Sequence, residues 1–439
     1  MPSSPRPWLN LLSEEIRTMM ERSILEADYE LARIMQAELE RQQRTLMMIP
    51  SENYASRAVM AASGSVLTNK YAEGYPFRRY YNGCENYDKI EQLAIDRARA
   101  IFRADHANVQ PHTGTAANMA AYWALLEKGD RILAMSVPQG GHLTHGDKVN
   151  FSGQNYDCHF YGLDPETDQL NYDAIAEVAR AVRPKLIIAG ASAYPRIIDF
   201  RRFKEIADEV GAFLMADIAH ICGLVAAECH PDPVPYCDVV TSTTHKTLRG
   251  PRGALALCKE KWAKALDRAV FPGVQAGPLM HIIAAKAVAF REAQEFGFRE
   301  YQRQIIRNAQ ALARTLQEHD FDLVTGGTDN HLLLVRLTNK NISGKIAADL
   351  LEAAGIVLNK NLVPNDPLGA QETSGIRPGT PAITTRQMKE PEMKLIGDWM
   401  ARVIHEGRNS DGSPNEDVLA QVRKEVEELC EAFPIYQSL

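Results

Sequence analysis

Residues 90–289 alternate between short apolar runs and longer amphipathic segments. The short runs are typical of buried strands and the longer segments of helices, so a helix is predicted between most successive strands. Strands that are connected through helices usually lie parallel in one sheet, with helices packed on both faces. The pattern therefore predicts an α/β domain with a largely parallel sheet, in which functional residues lie at the carboxyl ends of the strands.

The length of the chain and the segments beyond residue 289 indicate a second, smaller domain. With 439 residues, the chain exceeds what one hydrophobic core usually organises. We predict an N-terminal helical segment at 1–60, a large domain at 61–300 and a small C-terminal α/β domain at 301–439. The supporting segments are helix-like residues 11–44, 282–319, 345–354, 388–404 and 416–432, strand-like residues 332–337 and 356–358, and a loop at 406–415.

The predicted N-terminal helices have an apolar face. Leu31, Ile34 and Met35 recur at helical spacing among charged residues. Such a face is usually buried, so we expect it to pack on a core or on a second subunit.

The composition argues against a nucleic-acid or membrane protein. Hydrophobic residues make up 45% of the chain and charged residues 24%, which is ordinary for a globular protein. The net charge of -7 leaves no basic footprint for nucleic acid, and no apolar run approaches the length of a membrane span. The seven cysteines lack Cys-x-x-Cys spacing and the start lacks a signal-peptide core, so we expect reduced thiols and a soluble, cytoplasmic protein.

Lys246 lies among small hydroxyl residues and glycines in the segment 241–252, directly after an apolar run. Partial desolvation at a strand end lowers the pKa of a lysine, and its neutral amine can form a Schiff base with an aldehyde cofactor. A solvated lysine in a basic loop is the alternative, and the lysine alone does not decide between the two.

Asp217 ends the strand-like run 212–217 and is followed closely by His220. A carboxylate at this place could pair with a protonated pyridine nitrogen and keep the ring able to accept electrons. It could equally cap a helix that begins after the strand.

Thr113, Gly114 and Thr115 lie at the start of a helix-like stretch. Small residues at a helix N-terminus let backbone N–H groups and the helix dipole face an anion such as a cofactor phosphate. Ordinary helix capping uses the same residues.

His142 follows a predicted strand at 131–136 and the glycine pair Gly140 and Gly141. Its imidazole could stack on a pyridine ring, and the glycines leave room for a ligand. His142 and His145 could instead bind a metal, but no third histidine, cysteine or carboxylate at a familiar spacing completes such a site, so none is expected.

A phosphate segment, a stacking histidine, a pyridine-facing aspartate and a Schiff-base lysine thus follow one another in chain order. Each lies near the end of a predicted strand. This is the arrangement of a pyridoxal 5'-phosphate (PLP) site at the carboxyl ends of a mostly parallel sheet.

From about residue 48 to residue 385, the chain resembles serine hydroxymethyltransferase. Members of this family are fold-type I PLP enzymes, related in fold to aspartate aminotransferase, and they move a one-carbon unit between serine and tetrahydrofolate. The matching runs are 50–54, 67–76, 79–81, 141–146, 244–248, 326–331 and 373–377.

The resemblance implies a role for each candidate residue. Lys246 would carry the cofactor, Asp217 would pair with the pyridine nitrogen and His142 would stack on the ring. The other cofactor-binding positions that it implies are Thr113, Gly114, Thr115, His245, Tyr71, Gly277, and Ser192 and His220 near the phenolic oxygen. The substrate-binding positions are Ser51, Glu73, Tyr81, Gly141, Leu143, Arg252, Arg377 as the carboxylate clamp and Asn361 as a folate contact.

Glu73 matches an acid that manages proton transfer near the serine hydroxyl and the folate, and it is accompanied by Tyr71, Tyr80 and Tyr81. The resemblance implies a raised pKa for Glu73 and a catalytic role for Tyr81. It also implies that these side chains reach the site of a neighbouring subunit, so a homodimer or a dimer of dimers is expected. For the tyrosines, packing at an interface is a second interpretation that is compatible with the first.

The chain departs from the family pattern at several positions. Thr113 and Thr115 replace common serines, and the hydroxyl that would bind phosphate is retained. Val274 and Ala276 replace glycines that allow a partner's backbone to approach the phosphate, so that contact is expected to shift towards Gly277. Pro195 and Gln371 also differ from the pattern, near the expected substrate and folate pockets.

The resemblance therefore implies transfer of the serine hydroxymethyl carbon to tetrahydrofolate, which gives glycine and 5,10-methylenetetrahydrofolate. The departures leave two alternatives open: an α-methylserine hydroxymethyltransferase with D-alanine as product, or a folate-independent aldolase. A non-catalytic PLP-fold binding protein is a distant third, because Lys246, Asp217, Glu73 and Arg377 are all present.

Overall fold

The computed structural model describes residue 16 and residues 18–437. The strands are β1 Leu46–Met47, β2 Gly74–Tyr75, β3 Arg78–Arg79, β4 His106–Asn108, β5 Arg131–Met135, β6 Asp157–Tyr161, β7 Leu186–Gly190, β8 Phe213–Asp217, β9 Val239–Thr243, β10 Ala254–Cys258, β11 Asp322–Leu323, β12 Val335–Arg336, β13 Ile356–Val357, β14 Asn359–Asn361 and β15 Gly375–Arg377. The helices are α1 Ile24–Ala27, α2 Tyr29–Arg44, α3 Arg57–Ser63, α4 Glu85–Phe102, α5 Gly114–Leu125, α6 Phe151–Asn155, α7 Tyr172–Val182, α8 Phe200–Val210, α9 Cys222–Ala226, α10 Ala263–Arg268, α11 Met280–Ala293, α12 Phe296–Glu318, α13 Gly344–Ala353, α14 Pro381–Thr385, α15 Glu390–Glu406 and α16 Glu416–Ala432.

A seven-stranded sheet in the order β4-β10-β9-β8-β7-β5-β6 forms the centre of the larger part of the protein. The five strands that follow one another in the sheet as β9, β8, β7, β5 and β6 pair in parallel. Strand β10 runs antiparallel to both of its neighbours, β9 and β4. The prediction of an α/β domain with a largely parallel sheet is therefore confirmed.

Both faces of this sheet are covered by apolar cores. In β5, Leu133 and Met135 belong to one core cluster, whereas Ile132 and Ala134 belong to the cluster on the opposite face. Successive side chains of a strand point to opposite faces, so a strand that is buried on both sides must be apolar throughout. This double burial explains why the central strands read as continuous apolar runs.

The C-terminal part contains a four-stranded antiparallel sheet in the order β11-β12-β15-β14 with its own core. The N-terminal strand β1 pairs in parallel with β13, and Leu46 lies in this C-terminal core. Helix α12 contributes Phe298 to the large core and Leu312 to the C-terminal one, so it crosses the boundary that we propose at residue 300.

Only part of the predicted strand 332–337 forms. Val335 and Arg336 pair with β15, whereas Leu332 makes an isolated bridge to Gly379. Between these two positions, the backbone N–H of Leu333 donates to the carbonyl of Pro378. Because proline has no backbone N–H, it cannot donate a hydrogen bond to the neighbouring strand, and the regular strand pairing is interrupted there. The other predicted helices and strands of the C-terminal part agree with the structure within a few residues.

The predicted N-terminal helices are present as α1 and α2, but their apolar face is not buried. Leu31, Ile34 and Met35 are 46%, 60% and 49% exposed. The face therefore does not pack on a core of its own chain, and packing on a second subunit stays a prediction. The first part of the predicted helical region, residues 11–15, lies outside the described residues. Among the residues that the structure describes, no helix is both long and apolar enough to cross a membrane.

Candidate active site

A cavity of about 530 Å³ opens at the carboxyl ends of β5, β7, β8 and β9. The parallel strands bring their ends to one edge of the sheet, and Arg377 at the end of β15 closes the cavity from the C-terminal sheet. The predicted site residues that line it are Ser51, Thr113, Gly114, Thr115, Gly141, His142, Leu143, Ser192, Asp217, His220, His245, Lys246, Arg252 and Arg377.

Lys246 lies in the turn after β9 and presents a free amine to the cavity. The turn is held by side-chain hydroxyls: Thr244 Oγ1 donates to the carbonyl of Pro251, and Thr247 Oγ1 donates to that of His220. Within the described residues, Nζ of Lys246 makes no hydrogen bond or ion pair. Burial lowers the pKa of Lys246 to about 8, helped by the charge of Arg377. The alternative of a solvated lysine in a basic loop therefore does not hold.

Asp217 ends β8 and faces the cavity, with its side chain 10% exposed. Its Oδ2 accepts hydrogen bonds from Nδ2 of Asn118 at 2.9 Å and Nε2 of His145 at 3.1 Å. Its Oδ1 accepts one bond, from the backbone of Ala219, and therefore retains a free lone pair. Asp217 does not cap the next helix, because the N-cap of α9 is Ile221.

The charge of Asp217 is maintained by its neighbours. Burial raises the pKa of this carboxyl, but the interactions with His145, and to a smaller extent those with His142 and Asn118, together outweigh burial, and the net pKa lies below its usual range. Asp217 can thus provide a permanent negative charge opposite a protonated pyridine nitrogen.

His145 and Asn118 are functional residues that the sequence did not indicate in this role. The backbone N–H of His142 donates to Nδ1 of His145, so the ring proton of His145 lies on Nε2 and points at Asp217. Asn118 is held by Thr241 Oγ1, which donates to its side-chain oxygen at 2.6 Å. These contacts join helix α5, β8 and β9, which are remote in sequence.

The same contacts bear on metal binding. His142, His145 and Asp217 place ligand atoms within 4.8 Å of one another. The structure thus supplies the third group that the spacing in the sequence did not show, and it corrects that step of the prediction. A protonated Nε2 has no lone pair for a metal, so the cluster as it stands orients Asp217 instead.

The start of helix α5 forms a cradle at one side of the cavity. Thr113 caps the helix, with Oγ1 accepting from the backbone of Ala116 at 3.1 Å. Gly114 and Thr115 are the first two residues of the helix, so their amides have no intrahelical acceptor and are available to an anion. A Cβ at position 114 would lie 2.8 Å from Cγ2 of Thr243, which explains why glycine is needed there. Capping and anion binding are therefore compatible here.

Arg377 is buried, with 9% exposure, and has no carboxylate partner among the described residues. Its Nη1 donates to the carbonyl of Ser192 and its Nη2 to Oδ1 of Asn359 at 3.4 Å, while the buried Nε has no partner. Burial lowers the pKa of Arg377 to about 10, which still leaves it charged at neutral pH. A buried, unpaired guanidinium that faces a cavity is a site for a carboxylate. Asn359, which orients it, was not predicted.

Three histidines in the cavity are neutral. Burial lowers the pKa of His142 to about 4 and that of His245 to about 3, and it lowers the pKa of His220 well below its usual value. His220 Nδ1 lies 3.2 Å from Nε2 of His331, whose buried Nδ1 has no partner. A buried nitrogen without a partner costs less free energy when it carries a lone pair than when it carries a proton, so Nδ1 of His331 is the unprotonated nitrogen. The proton of His331 is then on Nε2 and is donated to Nδ1 of His220. The proton of His220 is therefore on its own Nε2.

The remaining predicted site residues do not line the cavity of the single chain. Tyr71 and Tyr81 are 60% and 45% exposed, with ring centroids 5.5 Å apart. Gly277 lies against Tyr71, since a Cβ there would be 2.9 Å from the Tyr71 ring. Glu73 is half-buried on the same surface segment, and Asn361 is half-buried in β14.

The departures from the family pattern are accommodated without strain. Val274 and Ala276 are outside the positive-φ region, so their side chains cause no conformational conflict. Gln275, between them, accepts from the backbone of His112 at 3.1 Å and donates to the carbonyl of Gln110. Pro195 is buried and Gln371 is exposed, and neither lines the cavity.

The described residues fit PLP. A free lysine amine, a carboxylate with an unused lone pair and a helix N-terminus face one cavity, together with an unpaired arginine for an amino-acid carboxylate. A family model described as serine hydroxymethyltransferase matches residues 24–400, which is well over half of the chain and includes the whole cavity lining.

Proposed function

The protein belongs to the serine hydroxymethyltransferase family, and we propose that it transfers the hydroxymethyl carbon of L-serine to tetrahydrofolate, giving glycine, 5,10-methylenetetrahydrofolate and water. The membership confirms the resemblance, the fold type, the hydroxymethyltransferase chemistry and the use of PLP with tetrahydrofolate as co-substrate. The identity of the amino-acid donor and the roles of individual residues are the proposal.

One observation carries the proposal: the unpaired guanidinium of Arg377 and the unpaired amine of Lys246 face the same cavity. An amino-acid substrate needs a cation for its carboxylate and a reactive place for its amino group. Arg377 binds the carboxylate through Nε and through the terminal N–H groups that its bonds to Ser192 and Asn359 leave free, and this planar set of donors suits a planar anion. A substrate whose carboxylate is bound by Arg377 would thus have its amino group in the same cavity as Lys246.

The remaining lining residues hold and tune the cofactor. When bound, PLP supplies an electron-accepting ring that stabilises negative charge at the α-carbon. Asp217 keeps the ring nitrogen protonated, and the neutral His142 offers a flat surface for stacking without a repelling charge. The amides of Gly114 and Thr115 bind the phosphate, with the hydroxyls of Thr113 and Thr115 beside them.

Protons move through two further groups. The pKa of Lys246, near 8, lets its amine hold or release a proton close to neutral pH. Glu73 of a second subunit handles the proton of the substrate hydroxyl, with Tyr71 and Tyr81 beside it. The exposure of Tyr71 and Tyr81 in the single chain supports a partner that covers them.

L-serine is favoured over the α-methylated donor by the position of the unusual residues. Pro195 and Gln371 are the departures that were expected near the substrate and folate pockets, and both lie outside the cavity lining. Pro195 instead anchors a loop, since its carbonyl accepts from Thr328 and Asp329.

The test is a comparison of donors with the purified, PLP-loaded protein. L-serine and α-methylserine are offered in parallel with tetrahydrofolate, and folate-free reactions measure released formaldehyde. Faster formation of methylenetetrahydrofolate from L-serine, lost in Lys246→Ala, supports the proposal. Preference for α-methylserine, or equal aldehyde release without folate, would replace L-serine transfer with one of the two alternative activities.

A further inference from the structure

Lys286 in helix α11 is buried, with 1% exposure, and lies directly behind the wall of the cavity. Its Nζ donates to three backbone carbonyls: Val109 at 2.6 Å, Pro111 at 3.0 Å and Ala254 at 2.7 Å. Val109 and Pro111 belong to the segment after β4, and Ala254 begins β10. The side chain thus connects the segment that follows β4 with the first residue of β10.

The three acceptors determine the protonation state. A neutral amine has two N–H donors and one lone pair, which would point at a carbonyl oxygen, whereas an ammonium has three donors. Burial lowers the pKa of Lys286 to about 7. Only the ammonium satisfies all three contacts to carbonyl oxygens, so on this geometry we assign Lys286 as charged. Its charge has no ion-pair partner among the described residues, because the nearby Glu91 is already bound to Arg79 at 2.7 Å.

The position of this charge relates it to the start of helix α5. Pro111, one of its acceptors, leads through His112 to the cradle at 113–115. Gly253 lines the cavity, and a Cβ there would lie 2.6 Å from Cε of Lys286. The pKa of His112, which also lines the cavity, is lowered by burial and then by the charge of Lys286.

We propose that Lys286 is a positioning residue for the cofactor phosphate. It holds the segment that leads into the cradle, and its unpaired charge adds to the helix dipole that faces the phosphate dianion. Lys286 lines no part of the cavity and so acts through the backbone and through its field. This inference rests on the proposed phosphate site at residues 113–115.

The experiment compares binding of PLP with binding of pyridoxal, which has the same ring and aldehyde but no phosphate. Lys286→Met removes both the charge and the donors, whereas Lys286→Gln removes the charge and keeps neutral donors. Each apoprotein is titrated with both compounds by absorbance. Lys340→Met is the matched control, because Lys340 also donates to a backbone carbonyl, that of His319, but lies in the C-terminal part.

We expect PLP affinity to fall at least about tenfold in both variants, while pyridoxal affinity changes much less. Lys340→Met should leave the ratio of the two affinities unchanged. An equal loss for both compounds, or no loss, would overturn the role of Lys286 at the phosphate.

The wild-type protein supplies a test that needs no variant to fold. In a spectrum of ¹⁵N-labelled lysine, the buried ammonium should exchange slowly and shift when PLP, but not pyridoxal, is added; the lack of such a signal would overturn the inference. If the wild type itself does not bind PLP through Lys246, the proposed function fails. If it binds and the variants retain its preference for PLP, only the Lys286 inference fails.

Discussion

Nε2 of His145 lies 3.1 Å from Oδ2 of Asp217, and the His145 side chain is only 1% exposed. Because Nδ1 of His145 accepts from the backbone, this bond has a fixed direction, with histidine as donor and carboxylate as acceptor. If Asp217 pairs with the ring nitrogen as we propose, His145 acts on the cofactor ring through Asp217 and is a positioning residue.

Replacing this donor should weaken catalysis. His145→Leu removes one of the hydrogen bonds that the charged carboxylate of Asp217 accepts. Loss of such a bond destabilises the charged carboxylate by about 1.5–3 kcal/mol, which corresponds to roughly a ten- to hundredfold loss in kcat/KM if the whole amount is lost in the transition state. His145→Gln places an amide nitrogen near the position of Nε2 and should recover most of the loss. The measurement is kcat/KM for L-serine at saturating PLP, together with the absorbance of the bound cofactor. Wild-type kinetics and absorbance in the leucine variant would contradict this role.

Arg377 should determine carboxylate binding. Arg377→Met removes the buried cation, so glycine should bind at least about a hundredfold more weakly, and Arg377→Lys should give an intermediate loss. Methylamine, which has the amine but no carboxylate, should bind all three proteins alike. Arg336→Met on neighbouring β12 removes an ion-paired guanidinium and serves as the control. Equal weakening of glycine and methylamine would show a general disruption of the site instead.

Capture of PLP by the apoprotein should depend on pH through Lys246. The pKa of this lysine is lowered from 10.5 to about 8, so the reactive neutral amine becomes the main form above that pH. The capture rate should rise about tenfold per pH unit below 8 and level off above it. Stopped-flow absorbance from pH 6 to pH 9 measures the rate. The same measurement on Lys246→Ala gives the absorbance change that comes from ionisation of the free cofactor, and this change is subtracted.

The lowered pKa of Lys246 should also make the free energy of unfolding of the apoprotein depend on pH. Where the folded pKa of a lysine is lower than the unfolded one, the folded state binds fewer protons between the two values. Lys246 therefore destabilises the apoprotein below about pH 8, and this penalty disappears as the pH rises towards 10.5. Relative to Lys246→Met, the wild-type apoprotein should gain stability across that window in urea unfolding. A constant difference between the two proteins across the window would rule this out.

Glu73 and Lys246 should complement each other between subunits. If Glu73 serves the neighbouring site, a heterodimer of Glu73→Gln and Lys246→Ala contains one site with both residues intact. Random mixing should then restore about a quarter of the wild-type activity, although each variant alone is inactive or nearly so. The check is activity after co-refolding or co-expression of the two chains. Failure to recover activity in a mixture that demonstrably contains heterodimers would place Glu73 and Lys246 in the same chain's site.

Much of the candidate site could be predicted from local sequence. Lys246 and Asp217 each follow or end an apolar run, and Thr113 and Gly114 begin a helix. Parallel strands collect such residues at one edge whatever their exact order. Arg377 lies in the other sheet, and only the family resemblance assigned it to the site.

The tertiary structure alone decided which groups orient and charge these residues. His145 and Asn118 meet Asp217 across 72 and 99 positions of the chain, and Lys286 reaches Val109 across 177. Such bonds depend on strand order and on the helix behind the sheet, which hydrophobic periodicity does not encode. The sequence thus determined the α/β architecture and the chemistry available at the strand ends, because both follow from local patterns. Packing decided the protonation state of each group, the direction of its hydrogen bonds and the electrostatic effect of its charge on the site. These properties depend on neighbours that only the folded chain brings within a few ångströms.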